Sequence, residues 1–293
     1  MRKILLGAIL TGNVFALGLD AEESGKQFRL YFGYDSISDA EFKDTDEHDG
    51  EELKYSKGEA TLAGVVCYNP CNEEGLILIG GYTDTEIDWD ENPFFDQTCF
   101  KTARVGIGGF SNRIQDWMWQ TSVILNADVD HFDLERYLTW DLLLWGRYQY
   151  NSCVGLHLGI YAETGMMVDH VYPVIGFDWA VSECWKLNAI FPMDISAIYT
   201  INPNWSVVGA VRFFHARHRV GKDEELERGI VTYKNSGTEL ALLYDCSDWA
   251  SANVHVGYTS GGRLKVADCD YSNREHFRFK GSPYIGGEMK LAF

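Results

Sequence analysis

Proline is scarce in this chain, with 6 in 293 residues. Little therefore interrupts extended backbone, since proline lacks the amide that a strand ladder needs. No stretch of 18 or more residues is continuously apolar, so no transmembrane helix is expected. Positive charge is in deficit: 25 Lys and Arg stand against 43 Asp and Glu, a formal net charge of −18. That balance argues against nucleic acid as a partner, whose binders are usually basic. It argues equally against docking on anionic lipid by electrostatics. Nucleotide and hydrolase signatures are missing too. "GIGG" (106–109) is a strand stretch with no helix after it, and "GGFSNR" is not a G-x-S-x-G elbow.

Aromatics and glycine are plentiful instead: 9 Trp, 16 Tyr, 16 Phe and 29 Gly. Strand formers and turn formers dominate. The first residues, "MRKILLGAILTGNVFALGLDAEE", combine a positive start, a short apolar run and small residues before a cleavage point. This is the pattern of a secretory signal peptide over 1–16, with cleavage after Ala16 or as late as Ala21. Residues 22–293 then form a single domain. No Cys follows the apolar run closely, which argues against a lipoprotein.

The main signal is period-two alternation in segments of about ten residues. In "TWDLLLWGRYQY", Trp140, Leu142, Leu144, Tyr148 and Tyr150 share one face. Thr139, Asp141, Arg147 and Gln149 share the other, with Leu143 and Trp145 as apolar exceptions. "MWQTSVILNADVD", "GTELALLYD" and "NVHVGYT" alternate in the same way. A half-buried soluble sheet would alternate as well. Two features favour a membrane barrel. Aromatic residues stand at the ends of the apolar faces, as interfacial girdles do. The connections also alternate in length. "NPCNEEG", "NRIQD", "NSC", "SEC", "NPN" and "SDW" are short; "SDAEFKDTDEHDGEELK", "WDENPFFDQT", "MMVDHVYP", "GKDEELERG" and "DCDYSNREH" are long and mostly acidic.

The expected fold is an all-β, antiparallel transmembrane β-barrel of 14 strands: 27–37, 55–68, 76–88, 99–111, 118–130, 136–150, 153–166, 173–182, 185–191, 195–201, 205–219, 230–244, 252–266 and 276–293. The pair at 185–201 has a short outer connection, "PMD", and without it the count is twelve. A closed sheet satisfies every backbone group in lipid. Closure requires the last strand to pair with the first. That gives the final segment, "GGEMKLAF", a reason to alternate to its last residue. Phe293, with Leu291 and Met289 in the same register, reads as the assembly signal for the barrel-assembly machinery.

The stretch 172–213, "YPVIGFDWAVSECWKLNAIFPMDISAIYTINPNWSVVGAVRF", resembles the core of an uncharacterised family of bacterial outer-membrane β-barrels of unknown function. Pro173, Gly176, Trp179, Trp185, Phe191, Pro192, Tyr199 and Trp205 carry the likeness. The cysteine content is similar to that of chlamydial envelope proteins, a resemblance that implies an outer membrane cross-linked by disulfides. Of the seven cysteines, Cys67, Cys71, Cys153, Cys184 and Cys246 fall at or near predicted periplasmic turns, and Cys99 and Cys269 lie by outer loops. Exported proteins can form disulfides. An odd count leaves at least one thiol free or bonded to another chain.

Metal signatures are weak. The C-x-x-x-C at 67–71 has no second pair. The acidic loop 41–52 holds Asp44, Asp46, Glu47, Asp49, Glu51 and Glu52 out of register for an EF-hand. His215 and His218 are three apart and cannot share a strand face, so they read as a rim cluster facing acidic loops. No metal and no cofactor is expected. Inward-facing positions carry opposite charges: Arg29, Asp35, Glu59, Arg104, Asp141, Arg147, Glu163, Asp178, Arg212, Glu239, Asp245, His255, Glu288 and Lys290. Of these, Arg29, Arg104, Asp141, Arg147, Glu163, Arg212, Glu239 and His255 are the candidate pore-lining residues. The first expectation is a passive channel for small polar solutes, set in outer-membrane lipid. The alternative is a structural envelope protein bound to disulfide-linked partners. An outer-membrane lipid or peptide hydrolase is the distant third, with no catalytic residue assigned.

Overall fold

The structure is a computed structural model that describes residues 27–43, 48, 50–131, 136–247 and 249–293. The expected signal peptide and the acidic Asp44, Asp46, Glu47 and Asp49 lie outside the described residues. The strands are β1 (Phe28–Lys43), β2 (Glu52–Asn69), β3 (Glu74–Trp89), β4 (Cys99–Ser111), β5 (Trp117–Asp128), β6 (Leu138–Gln149), β7 (Val154–Gly165) and β8 (Val168–Ala180). They continue as β9 (Trp185–Phe191), β10 (Asp194–Asn202), β11 (Trp205–Arg219), β12 (Ile230–Ser247), β13 (Ala250–Thr259), β14 (Gly262–Ala267), β15 (Glu275–Phe279) and β16 (Pro283–Ala292). The described residues contain no helix long and apolar enough to cross a membrane.

Fourteen strands close a ring. Each strand from β1 to β12 pairs antiparallel with the next, β13 pairs with β16, and β16 pairs with β1. The closing pair runs in unbroken register from Arg29↔Ala292 to Ile37↔Tyr284. Phe28 and Phe293 exchange backbone hydrogen bonds at 2.8 and 2.9 Å, and their rings stack at 6.0 Å. The final strand therefore leaves no free edge.

The last two expected strands are each broken. The segment 252–266 splits into β13 and β14, and 276–293 into β15 and β16. Gly261 sits at the first break with a φ of 89°, and a Cβ there would stand 2.6 Å from the Phe279 carbonyl oxygen. Only glycine fits so close a crossing. Beyond the breaks, β14 pairs with the start of β12 and β15 with the end of β1, so the ring continues upward as a second tier. "MMVDHVYP" is not a long loop either: β7 turns into β8 at Met166 and Met167, both at positive φ.

One rim carries both described chain ends and the short turns. The opposite rim carries the long connections, and is called the loop rim. The outward face is a continuous apolar band: Leu78, Val105, Ile107, Leu158, Ile175, Leu240, Val254 and Val256 are all more than half exposed. Such a surface suits hydrocarbon and not water. Rings border it on the terminal side, where Trp117 stacks on Trp119 at 5.0 Å, Trp185 meets Tyr199 at 4.9 Å and Trp205 meets Tyr244 at 4.6 Å. Tyr34, Tyr82, Trp140 and Tyr258 border it on the other side.

Candidate channel interior

All eight candidate pore-lining residues occupy inward-facing positions of their strands. Seven of them make ion pairs or hydrogen bonds with neighbouring side chains on the inner wall.

The largest network spans the closure. Arg212 on β11 makes a two-point pair with Glu239 on β12 at 2.7 and 3.0 Å. The same guanidinium reaches Glu288 on β16 at 3.0 Å and lies 3.5 Å from Asp35 on β1. Asp35 meets His255 Nε2 of β13 at 2.8 Å, and His255 Nδ1 meets Asn253 at 3.0 Å. Tyr284 donates its hydroxyl to Glu239 at 3.0 Å. Arg212 and His255 are each 2% exposed and Glu239 4%. A buried arginine is costly unless it is paired, and here three carboxylates surround it.

A second network sits on the opposite wall. Arg147 binds Asp178 at 2.7 and 2.9 Å, and His157 Nε2 meets the same carboxylate at 2.8 Å. Trp145 Nε1, which can only donate, points to His157 Nδ1 at 3.1 Å. His157 Nδ1 is therefore the acceptor and Nε2 carries the proton donated to Asp178. Asp141 accepts from Asn126 at 2.9 Å and from Tyr161 at 3.1 Å. Arg104 lies 3.7 Å from Glu59, and Glu163 takes Arg217 at 2.6 Å. Arg29 also has a partner.

Toward the loop rim the interior turns apolar. Tyr55 stacks on Tyr233 across the barrel at 4.2 Å, Trp89 meets Phe277 at 4.8 Å, and Phe42 meets Trp89 at 4.8 Å. Phe94 and Phe95 of the 90–98 connection and Leu226 of the 220–229 connection pack into the same core. Arg219 fastens this cap by donating to the carbonyls of Arg136, Arg228 and Cys269 at 2.9, 2.6 and 3.0 Å. The interior at the loop-rim end is thus filled by packed side chains. The sequence reading missed the cap because alternation shows which residues share a face, not what the far end of that face meets.

The histidines depart from a rim cluster facing acidic loops. His218 stacks on Phe100 inside the barrel at 4.8 Å, whereas His215 faces Glu163 at 3.6 Å. They point to opposite faces of β11, as a spacing of three in a strand dictates. Among the described residues no group of three His, Cys, Asp or Glu is placed to hold a metal ion. All seven cysteines are free and exposed. Cys67, Cys71, Cys153, Cys184 and Cys246 lie at the terminal rim; Cys99 and Cys269 lie toward the loop rim.

Solved barrels of similar outline include an outer-membrane channel from Pseudomonas putida F1, at 9% identity, 92% of this chain, 96% of that chain and a TM-score of 0.48. A mutant monoaromatic hydrocarbon channel matches at 10% identity, 97% and 95% coverage and a TM-score of 0.44. No protein-family model matches the chain. The chain is similar over nearly its whole length to uncharacterised chlamydial proteins: 24% identical to one from Chlamydia pneumoniae (98% of this chain, 96% of the relative), and 22% identical to one from Chlamydia trachomatis (99% and 97%).

Proposed function

We propose that this protein is an outer-membrane β-barrel that passes small polar solutes passively, with the packed loop-rim end as its closed form. One observation carries the reading. A closed barrel with an apolar outer band concentrates charge on its inward face, and the cap over that interior joins strand side chains to a few side chains from two connections. Charge inside and hydrocarbon outside suit a wall between water and lipid. The residues 90–98 and 220–229 supply Phe94, Phe95 and Leu226 to the cap and lie outside the strands that close the ring. The solute remains a class, small and polar. Single-channel recording of the refolded protein tests this. Rare, brief openings are expected, with selectivity changed by Arg147→Gln. A bilayer that stays silent even after the two connections are shortened would count against it.

A second reading rests on the thiols. Five of seven exposed, free cysteines share the terminal rim, where a structural envelope protein would bond to periplasmic partners. Non-reducing electrophoresis of native envelopes would reveal those adducts as bands that collapse with reductant.

A further inference from the structure

The β9–β10 hairpin is shorter than the wall that contains it. β8 pairs with β9 only through Ile175–Ala180, and β10 pairs with β11 only up to Ile195↔Val211. Residues 168–174 of β8 and 212–219 of β11 have no strand beside them on that side. At about 3.3 Å per residue, seven residues make a notch roughly 23 Å deep, open toward the loop rim.

Behind the notch the upper part of β11 acts as a partition. Phe214 and Ala216 face the aromatic cap. The other face turns to β7 and β8. Arg217 donates to Glu163 at 2.6 Å and to the Val168 carbonyl at 3.2 Å. The rings of His170 and His215 are 6.3 Å apart. Cross-strand register extends this face along the sheet: Arg217↔Thr232, His215↔Lys234 and Lys234↔Arg263. Cations placed directly opposite one another destabilise a sheet. Glu163 is the carboxylate that reaches this wall, and it is already shared by Arg217 and His215. No ion pair among the described residues engages Lys234 or Arg263.

Three buried polar atoms on the same wall have no hydrogen-bond partner: Arg217 Nε, His215 Nε2 and Thr232 Oγ1. The Arg217 side chain is 1% exposed and Thr232 6%. A buried polar atom left without a partner is costly, which favours a ligand that supplies one. Here the three atoms converge with unopposed positive charge in a chain whose net charge is −18. The whole-chain balance argued against anionic partners; this cleft reverses that balance locally.

We propose that the cleft behind the notch binds a phosphate group, entering sideways through the gap above the β9–β10 hairpin. Phosphate oxygens accept from guanidinium, ammonium, imidazole and hydroxyl at once, which a single protein carboxylate cannot do. The group can belong to a lipid headgroup or to a free phosphorylated solute. Val171 and Phe191, 69% and 43% exposed beside the notch, offer an apolar surface along which a lipid chain can lie. The proposal does not depend on the channel reading.

The test uses the folded full-length barrel in zwitterionic detergent, with inorganic phosphate followed by 31P NMR and phosphatidylglycerol followed by native mass spectrometry. Saturable phosphate broadening supports the free-solute source. Retention of phosphatidylglycerol over phosphatidylcholine without phosphate broadening supports the headgroup source. Lys234→Glu should weaken whichever binding is seen by about tenfold or more, while Arg113→Glu on the terminal rim leaves it unchanged. Heat-modifiable gel mobility checks folding, and His215→Gln replaces Lys234→Glu if the latter fails to fold. Absence of both bindings, or binding indifferent to these variants, overturns the proposal.

Discussion

Arg212 and Glu239 form a two-point ion pair, at 2.7 and 3.0 Å, across neighbouring strands inside the barrel. Glu288 and Asp35 complete the cluster from the two strands that close the ring. Removing the cation strands the buried Glu239 and Glu288 and takes one partner from the half-buried Asp35. Arg212→Met is expected to destabilise the folded barrel by about 3–5 kcal/mol. Urea unfolding in lipid, followed by tryptophan fluorescence, reads this directly, and a loss below about 1 kcal/mol would show that the cluster does not hold the seam.

The cap closes the lumen by aromatic packing. Replacing Phe94 and Phe95 with serine removes two rings that face Trp89, Phe277 and Phe100. Open probability in planar bilayers should rise several-fold in this double variant while ring closure is retained. An unchanged record would mean that the connection is not what occludes the barrel.

Phe293→Ala keeps the backbone pairing with Phe28 but loses the ring stack, worth about 0.5–1.5 kcal/mol. The expected result is a small loss of stability with a larger loss of assembly yield in cells. The contrast between refolding in vitro and insertion in vivo separates a structural from a recognition role. Equal losses in both would leave only the structural role.

Gly176 lies where a Cβ would stand 2.0 Å from the Ala189 carbonyl oxygen and 2.6 Å from the Ile190 Cα. Both are backbone atoms of the neighbouring strand and cannot yield cheaply. Gly176→Val should destabilise the barrel by about 1–3 kcal/mol, through strain between β8 and β9. The midpoint of urea unfolding is the measure.

The exposed thiols report orientation. A membrane-impermeant maleimide on intact cells should label Cys99 and Cys269 and spare the five cysteines of the terminal rim until the membrane is opened. Peptide mass mapping assigns each site, and the reverse pattern would invert the barrel.

Much of this was legible in the chain. The strands 99–111, 185–191 and 205–219 match their expected bounds to the residue, because a half-buried strand repeats its polarity every two residues. The same periodicity assigned Arg212, Glu239 and His255 to the inward face, and it separated His215 from His218. It could not say which inward residues meet, since Arg212 and Glu288 are 76 positions apart and touch only after the ring has closed.

Local pattern therefore determined strand identity, face and the closing role of the final segment. Tertiary structure decided the rest. The short β9–β10 hairpin becomes a notch only because longer strands flank it, and Arg217 becomes a cleft residue only because β11 turns one face to Glu163. The aromatic cap depends on the height at which Tyr55 and Tyr233 meet across the barrel. Those are properties of register and shear around a closed sheet, which no single strand carries in its own sequence.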